Sequence, residues 1–481
     1  MEALMRKGLI IFLLIASVNA EAQLSYIGQD KSISGNGYTK EYSYVGGFAE
    51  LKGKFYFSTP NSRFYETDGT QKGTKNITST RGDLIQFVNT TNKYVYFAPN
   101  DGGAVVNRYE PVSGSLSRVR LMDNPNVLEV NGYPVPGYAR LVDQEFISFE
   151  KDKITFRTFR DNLLRIRTIY DNDQPSGAIE VAAAGLATAQ YPDYLIGIST
   201  QVASIRSEMF WNGIAYSYNK QKGENTVTSS KLPANGTYPY KYDKDYRLLD
   251  KGYYIRDGFL RTAKSLYVLA QNNTRPAAPV WQLIEFTAEK AVSGSGAMSI
   301  RAADYMGEVI DGIIYVTCQG AAYKFNEITQ QFLPVLQAGN IRFDAINEKK
   351  RLLKAGDYMM FRQGDSLTVF NENNKILSNV IKRQAMYPLT SRFNPEQHHA
   401  FAGTAAFYYL SGSGETSVFN QYNPATQVTR QIAFPKIGKE KFMGFKAVYN
   451  QAGTFLILAE YSGDKKYGPS YQMFIYREQL N

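Results

Sequence analysis

One pattern recurs nine times along this chain: a polar or glycine-bearing turn, then a short strand of alternating aromatic and aliphatic residues. It reads KGKFYF at 52–57, NKYVYF at 92–97, KDKITF at 151–156, WNGIAYSY at 211–218 and AKSLYVL at 263–269. It continues as DGIIYV at 311–316, AGDYMMF at 355–361, AGTAAFYYL at 402–410 and AGTFLIL at 452–458. Period-two alternation marks a pleated strand, and Gly, Asn or Lys-Asp ahead of it supplies turn chemistry.

A second element follows these strands: a strand ending in an aromatic residue, a polar turn, and another strand. Examples are RFYETDGTQKGTKNI at 63–77, NRYEPVSGSLSRVRL at 107–121, TIYDNDQPSGAIEV at 168–181 and YKFNEITQQFLPV at 323–335. TVFNENNKILSNV at 368–380 and FNQYNPATQVTRQI at 419–432 repeat it, and MFIYREQLN at 473–481 stops at the turn. The leading aromatics, from Tyr65 through Tyr109, Tyr170, Tyr218, Phe286, Phe325, Phe370 and Tyr422 to Tyr476, stand 39 to 68 residues apart. No helical period competes. The nearest candidate, VAAAGLATAQ at 181–190, has alanines that equally suit a loop or a strand.

Modules of this size, each a small antiparallel sheet, predict an all-β chain of β-propeller type. A single sandwich or barrel does not use so many hairpins. About eight blades are expected, with seven or nine also compatible, because the interval before Phe325 is short and the one before it long. The last module lacks its outer strand, and LSYIGQDKSI at 24–33 has no hairpin partner. The N-terminal segment is therefore expected to supply that strand and close the ring, which removes sheet edges.

The stretch LKGKFYFSTPNSRFYETDGTQKGTKNI at 51–77 resembles one unit of a secreted bacterial repeat family whose blades carry ELWxTDGTxxGT. Tyr65 stands where that family has Trp, and Arg63-Phe64 replaces Glu-Leu. The resemblance implies an exported propeller and assigns no catalytic residue. The remaining modules look like degenerate kelch-type blades. From the residues themselves, Asp68-Gly69 sets a tight turn with Gly at positive φ, the Asp and Thr side chains bond nearby amides, and Gly73-Thr74 allows a second bend.

Residues 1–20, MEALMRKGLIIFLLIASVNA, have a basic start, an apolar run from Gly8 to Ala16 and small residues before a cut after Ala20. This is the layout of a secretory leader, and the run is too short to span a bilayer. A single propeller domain over 21–481 is expected to follow it. The one cysteine, Cys318, excludes an internal disulfide and a lipid-anchor cysteine beside the cut. Export without disulfides suggests a bacterial source, with a periplasmic, outer-envelope or extracellular destination. The net charge of +10 is dispersed, and its densest runs, 348–354 and 436–442, both contain Glu. They are expected to be solvated surface, which makes nucleic acid an unlikely partner.

Motifs that carry chemistry are sparse. His398 and His399 are the only histidines, and neighbours on a strand point to opposite faces. They are expected at a surface or turn, and Cys318 as a small buried thiol. Asp171, Asp173 and Ser176 fail the EF-hand spacing, since Gly177 falls late and no terminal Glu follows. SGSGAM at 293–298 and SGSGE at 411–415 read as flexible turns. The sequons at Asn76, Asn89, Asn235 and Asn273 matter only in a eukaryotic secretory route. No catalytic or metal residue is assigned, no cofactor is expected, and binding residues are left open. The function expected is non-catalytic binding of a protein or carbohydrate partner. The alternative is a polysaccharide hydrolase or lyase using carboxylates near the axis, drawn from 44 Asp and Glu.

Overall fold

The computed structural model describes residues 23–30, 47–59, 63–79, 85–99, 105–120, 129–130, 133–134, 147–160, 163–172, 179–182, 186–190, 194–203, 208–219, 224–229, 253–263, 265–272, 280–286, 293–298, 305–318, 320–337, 341–346, 350–373, 377–381, 400–412, 414–464 and 468–478. Among these, one short 3-10 turn at Gly414–Thr416 is the only helical element. The rest of the regular structure is strand.

The strands form antiparallel meanders. Seven sheets have four strands each. Six are continuous in sequence: 48–79, 85–120, 147–182, 305–337, 352–381 and 400–432. The seventh combines three C-terminal strands, Phe442–Gln451, Thr454–Asp464 and Gly468–Arg477, with Gln23–Gln29 from the other end of the chain. Gln23 pairs with Arg477 and Gln29 with Gln472, so the N-terminal strand occupies the expected outer position. An eight-stranded sheet at 186–298 reads as two such meanders joined through Met209–Ile255 and Phe210–Tyr254.

The hairpin turns explain the glycines of the repeat. Lys52-Gly53, Asp311-Gly312 and Ala452-Gly453 each have two consecutive positive φ angles, for example 51° and 76° at Asp311-Gly312. They close two-residue loops between directly paired residues, as Ile310 and Ile313 do. That geometry matches strand twist and favours X-Gly pairs.

Most strands named in the sequence analysis fall in place, with two corrections. WNGIAYSY lies on Glu208–Asn219, the third strand of its meander; the second is Tyr194–Ala203. Its interior carries no aromatic residue, so the alternation that marks the other second strands is missing. SGSGAM is not a flexible turn but the strand Ser293–Met298, paired with Val280–Phe286. Small residues hide strand character there because neighbouring-strand hydrogen bonds, not side-chain pattern, hold them. VAAAGLATAQ contributes to the strands Ile179–Ala182 and Leu186–Gln190.

The chain divides into two compact units, 1–82 with 383–481, and 83–382. Within the second, the 305–337 sheet is buried on both faces. Ile314, Val316 and Cys318 pack with Leu260, Tyr267 and Leu283 of the preceding sheet. Tyr315 and Ala322 pack with Leu352, Met359 and Phe361 of the following one. Within the first unit, Phe455, Ile457 and Tyr461 face the 400–432 sheet, while Leu456 and Leu458 face the 48–79 sheet. A strand buried on both sides reads as a continuous apolar run, which is why IIYV and FLIL lack polar alternation. Cys318 is buried as expected, its Sγ 3.6 Å from the Ala321 carbonyl.

Candidate functional site

The TDGTQKGT stretch is a self-contained turn. Asp68 Oδ1 accepts from the Thr70 amide at 2.8 Å, Thr67 Oγ1 from the Gly69 amide at 3.0 Å, and Thr70 Oγ1 from the Gly73 amide at 3.0 Å. The hydrogen bonds from Thr70 hold the Asp68 carboxyl below its usual range. Gly69 has φ +91°, and a Cβ on Gly73 would lie 2.1 Å from Asp68. The motif's polar groups satisfy one another, so its residues serve folding.

A second recurring device involves tyrosine and a carboxylate. Tyr56, Tyr96, Tyr267, Tyr315 and Tyr408 sit near the start of the second strand of their sheets, and each hydroxyl donates to a carboxylate. Tyr56 bonds Glu66 at 3.3 Å and Tyr267 bonds Glu285 at 2.9 Å, in both cases the residue directly opposite on the third strand. Opposite Tyr96, Tyr315 and Tyr408 stand Arg108, Lys324 and Gln421, which are not acids. Those three hydroxyls reach the next sheet instead, to Asp171, Glu372 and Glu478.

The three carboxylates that cross share one position, immediately after the third strand of their own sheet. Each anchors its amide on the first hairpin turn of that sheet: Asp171 on the Asp152 carbonyl, Glu372 on Asp357 and Glu478 on Gly453, at 2.8–3.0 Å. Burial pushes the tyrosine hydroxyls up and out of the physiological range, and the carboxylates beside them add to this. At Tyr96, Tyr315 and Tyr408 the device is a latch between sheets, whereas Tyr56 and Tyr267, each facing an acid, stay within their own sheet.

One position breaks the pattern. Glu327 follows the third strand of the 305–337 sheet, as Glu372 follows that of the next. The preceding tyrosine, Tyr267, is already bonded to Glu285, which also accepts from Ser265 Oγ at 2.6 Å. Glu327 is thus left over. Its Oε1 is shielded from water and has no hydrogen-bond partner among the described residues. It lines a cleft of about 340 Å³ with Ser265, Glu285, Gly312, Lys324 and Ile328. The turn beside it is braced: Asn326 Oδ1 accepts from the amides of Ile328 and Thr329 at 2.9 and 3.1 Å, and Gln330 Nε2 donates to the Glu327 carbonyl at 2.7 Å. Ile328 stands at the tip, 93 % exposed.

Other residues singled out from the sequence serve elsewhere. Asp171 is a latch, also accepting from Thr91 Oγ1 at 3.0 Å. Lys436 and Lys439 are solvent-exposed, and Lys441 pairs with Glu415 at 2.6 Å. His398, His399, Asp173, Ser176, Gly177, Asn235, Asn273 and the leader at 1–20 lie outside the described residues. Among the described residues no group of three His, Cys, Asp or Glu could hold a metal ion, and no helix is long and apolar enough to cross a membrane. Tyr267, Glu285 and Glu327 were not singled out from the sequence. The signal was present as an aromatic residue followed by an acid, in FNE at 325–327, FNE at 370–372 and YRE at 476–478.

No family model and no curated protein sequence matches this chain. Among solved structures it is similar to BamB from Moraxella catarrhalis, at 10 % identity over 81 % of this chain and 96 % of that one, with a TM-score of 0.37. It is similar to dipeptidyl peptidase 4 of Porphyromonas gingivalis, at 8 % identity over 88 % and 65 %, with a TM-score of 0.43. A third likeness is oligogalacturonate lyase of Vibrio parahaemolyticus, at 8 % identity over 75 % and 93 %, with a TM-score of 0.34. These likenesses are loose, and the blade-like architecture rests on the strand pairing described above.

Proposed function

We propose that this chain is an exported β-propeller, residues 21–481 after a leader at 1–20, that binds a protein or carbohydrate partner without transforming it. Repeated four-stranded meanders packed face to face, with the N-terminal strand completing the last one, support a closed ring. Seven four-stranded sheets and two meanders in the eight-stranded one favour nine blades within that reading. The unit at 51–77 supports kinship with the secreted TDGT repeat family. The leader pattern supports export to the periplasm, outer envelope or exterior.

The observation that carries the binding reading is the cleft at Glu327. It joins the part-exposed Glu327 side chain, a turn braced by Asn326 and a nearly fully exposed aliphatic side chain. Preorganised exposed groups around a recess are what a binding surface requires. The cleft also carries two carboxylates, Glu285 and Glu327, and a carboxylate pair is what the alternative, a polysaccharide hydrolase or lyase, needs. Glu285, however, is engaged through Oε1 by two hydroxyls.

The test is to apply the purified mature chain to a glycan array and to an envelope extract, and to assay the retained polysaccharides for new reducing ends and unsaturated uronates. Retention without product supports binding. Product that disappears in Glu327→Gln transfers the site to the enzyme reading.

A further inference from the structure

We infer that the N-terminal strand is a releasable strap, fastened across the seam between the last sheet and the 48–79 sheet, which lifts from both while the strands beneath it stay folded. Gln23–Gln29 is the end strand of its sheet and pairs with Gly468–Arg477. The three strands beneath it follow one another along the chain, whereas it arrives from the other end. Its ladder is also broken. Tyr26 faces Phe474 and Gly28 faces Met473, which leaves Ile27 as an extra residue in a bulge. A bulge interrupts the ladder and re-aims a side chain. Gly28 follows at φ +140°, where a side chain brings backbone strain.

Side chains supply what the ladder lacks. Leu24 and Tyr26 pack with the cluster that runs to the 400–432 sheet, and Tyr26 Oη donates to Gln472 Oε1 at 3.1 Å. Ile27, 1 % exposed, packs instead with Phe57 and Tyr65 of the 48–79 sheet and with Leu458 and Met473 of its own. Asp30 ends the strap and is 2 % exposed. Its amide bonds the Tyr471 carbonyl at 3.0 Å, and its carboxylate accepts from the Tyr65 hydroxyl, to which Arg63 also donates. Ile27 and Asp30 are thus the points where one strand grips two sheets.

Every one of these contacts is lost when the strap alone lifts, and no other strand has to unpair. An opening that costs only the contacts of one edge element lies below global unfolding. Lifting bares the Gly468–Arg477 edge, which the docked strap keeps from pairing with other strands. The strap therefore both fastens the seam and guards that edge.

Hydrogen exchange of the full mature chain, resolved to single amides, tests this. The paired amides of 23–29 and those of 468–477 that face them should exchange together, about a hundredfold faster than Thr454–Asp464. Tyr65→Phe and Asp30→Ala cut one contact from either side. Each should speed the strap about tenfold, and the double variant no more than the faster single. Gly28→Ala strains the bulge alone, because its Cβ would meet Met473 at an ordinary 3.6 Å. It should also speed the strap about tenfold. In all of these variants Thr454–Asp464 should keep its rate. Strap amides that exchange no faster than Thr454–Asp464, or variants that speed both strands equally, overturn the inference, since the strand then leaves only with global unfolding. No effect of Tyr65→Phe and Asp30→Ala also overturns it, because the strap is then not fastened at Asp30. None of these results depends on whether the Glu327 cleft holds a ligand.

Discussion

Tyr408 Oη lies 3.1 Å from Glu478 Oε1, a carboxylate 70 residues further along the chain and on the next sheet. The same carboxylate accepts from the Thr404 amide at 2.6 Å, on the hairpin turn preceding Tyr408. Its own amide is held by Gly453. One side chain thus ties two consecutive sheets at their turns.

Removing one end of this latch should be costly and non-additive. Tyr408→Phe is expected to lose about 1.5–3 kcal/mol, the range for a hydrogen bond to a charged group. Glu478→Gln should add less in the double variant than alone, because the two share one interaction. Urea unfolding of the four proteins measures this; strict additivity contradicts the latch.

Glu308 should make stability depend on pH in an unusual direction. Burial pushes its carboxyl up from 4.5 to about 7, against the pull of the Arg351 and Leu352 amides and the nearby Lys350 and Arg351 charges. The folded state therefore holds its proton more tightly than the unfolded one. Its contribution is complete below about pH 4.5 and is lost as pH rises through 7, on the order of 3 kcal/mol in all. Glu308→Gln should flatten the thermal stability profile between pH 5 and 8 (roughly the span of that titration). An unchanged slope contradicts the assignment.

Glu66 should act in the opposite sense. Burial raises its pKa, but hydrogen bonds and charge from Lys54, at 2.6 Å, and Lys75 outweigh it and hold the carboxyl low. Its stabilisation is present above the ordinary carboxylate range and is lost on acidification through the lowered value. Lys54→Met should raise the pH at which acid unfolding begins, read by circular dichroism. Unaltered acid unfolding would rule this role out.

The TDGT turn should fail through space, not through φ, at its second glycine. Gly73→Ala places a Cβ 2.1 Å from Asp68, and a loss of about 1–3 kcal/mol is expected. Part should return in Gly73→Ala with Asp68→Ala, at the cost of the Asp68 cap. If the double variant is as unstable as the sum of the singles, the clash is not the cause.

Much of this architecture was legible from residues alone. Alternating aromatics after X-Gly turns exposed the hairpins, since only a pleated strand needs period two and only two positive φ angles need that dipeptide. The unpartnered LSYIG segment exposed the outer strand on Gly468–Arg477. Strands without interior aromatics, such as Tyr194–Ala203 and Ser293–Met298, were harder, because their stability comes from neighbours rather than their own pattern. The latch acids were visible as letters after each aromatic. Their role was not, because Asp171 lies 75 residues from Tyr96 and local spacing does not reveal which sheet a side chain enters. Glu327 becomes distinctive only once Glu285 is seen opposite Tyr267.

That opposition is the claim on which the cleft depends, and a crystal structure of Glu285→Lys tests it most directly. Lysine would then face Tyr267 as Lys324 faces Tyr315. The account predicts that Glu327 then moves within hydrogen-bond reach of Tyr267 Oη, as Glu372 stands to Tyr315. Glu327 still without a bond to Tyr267 would contradict it.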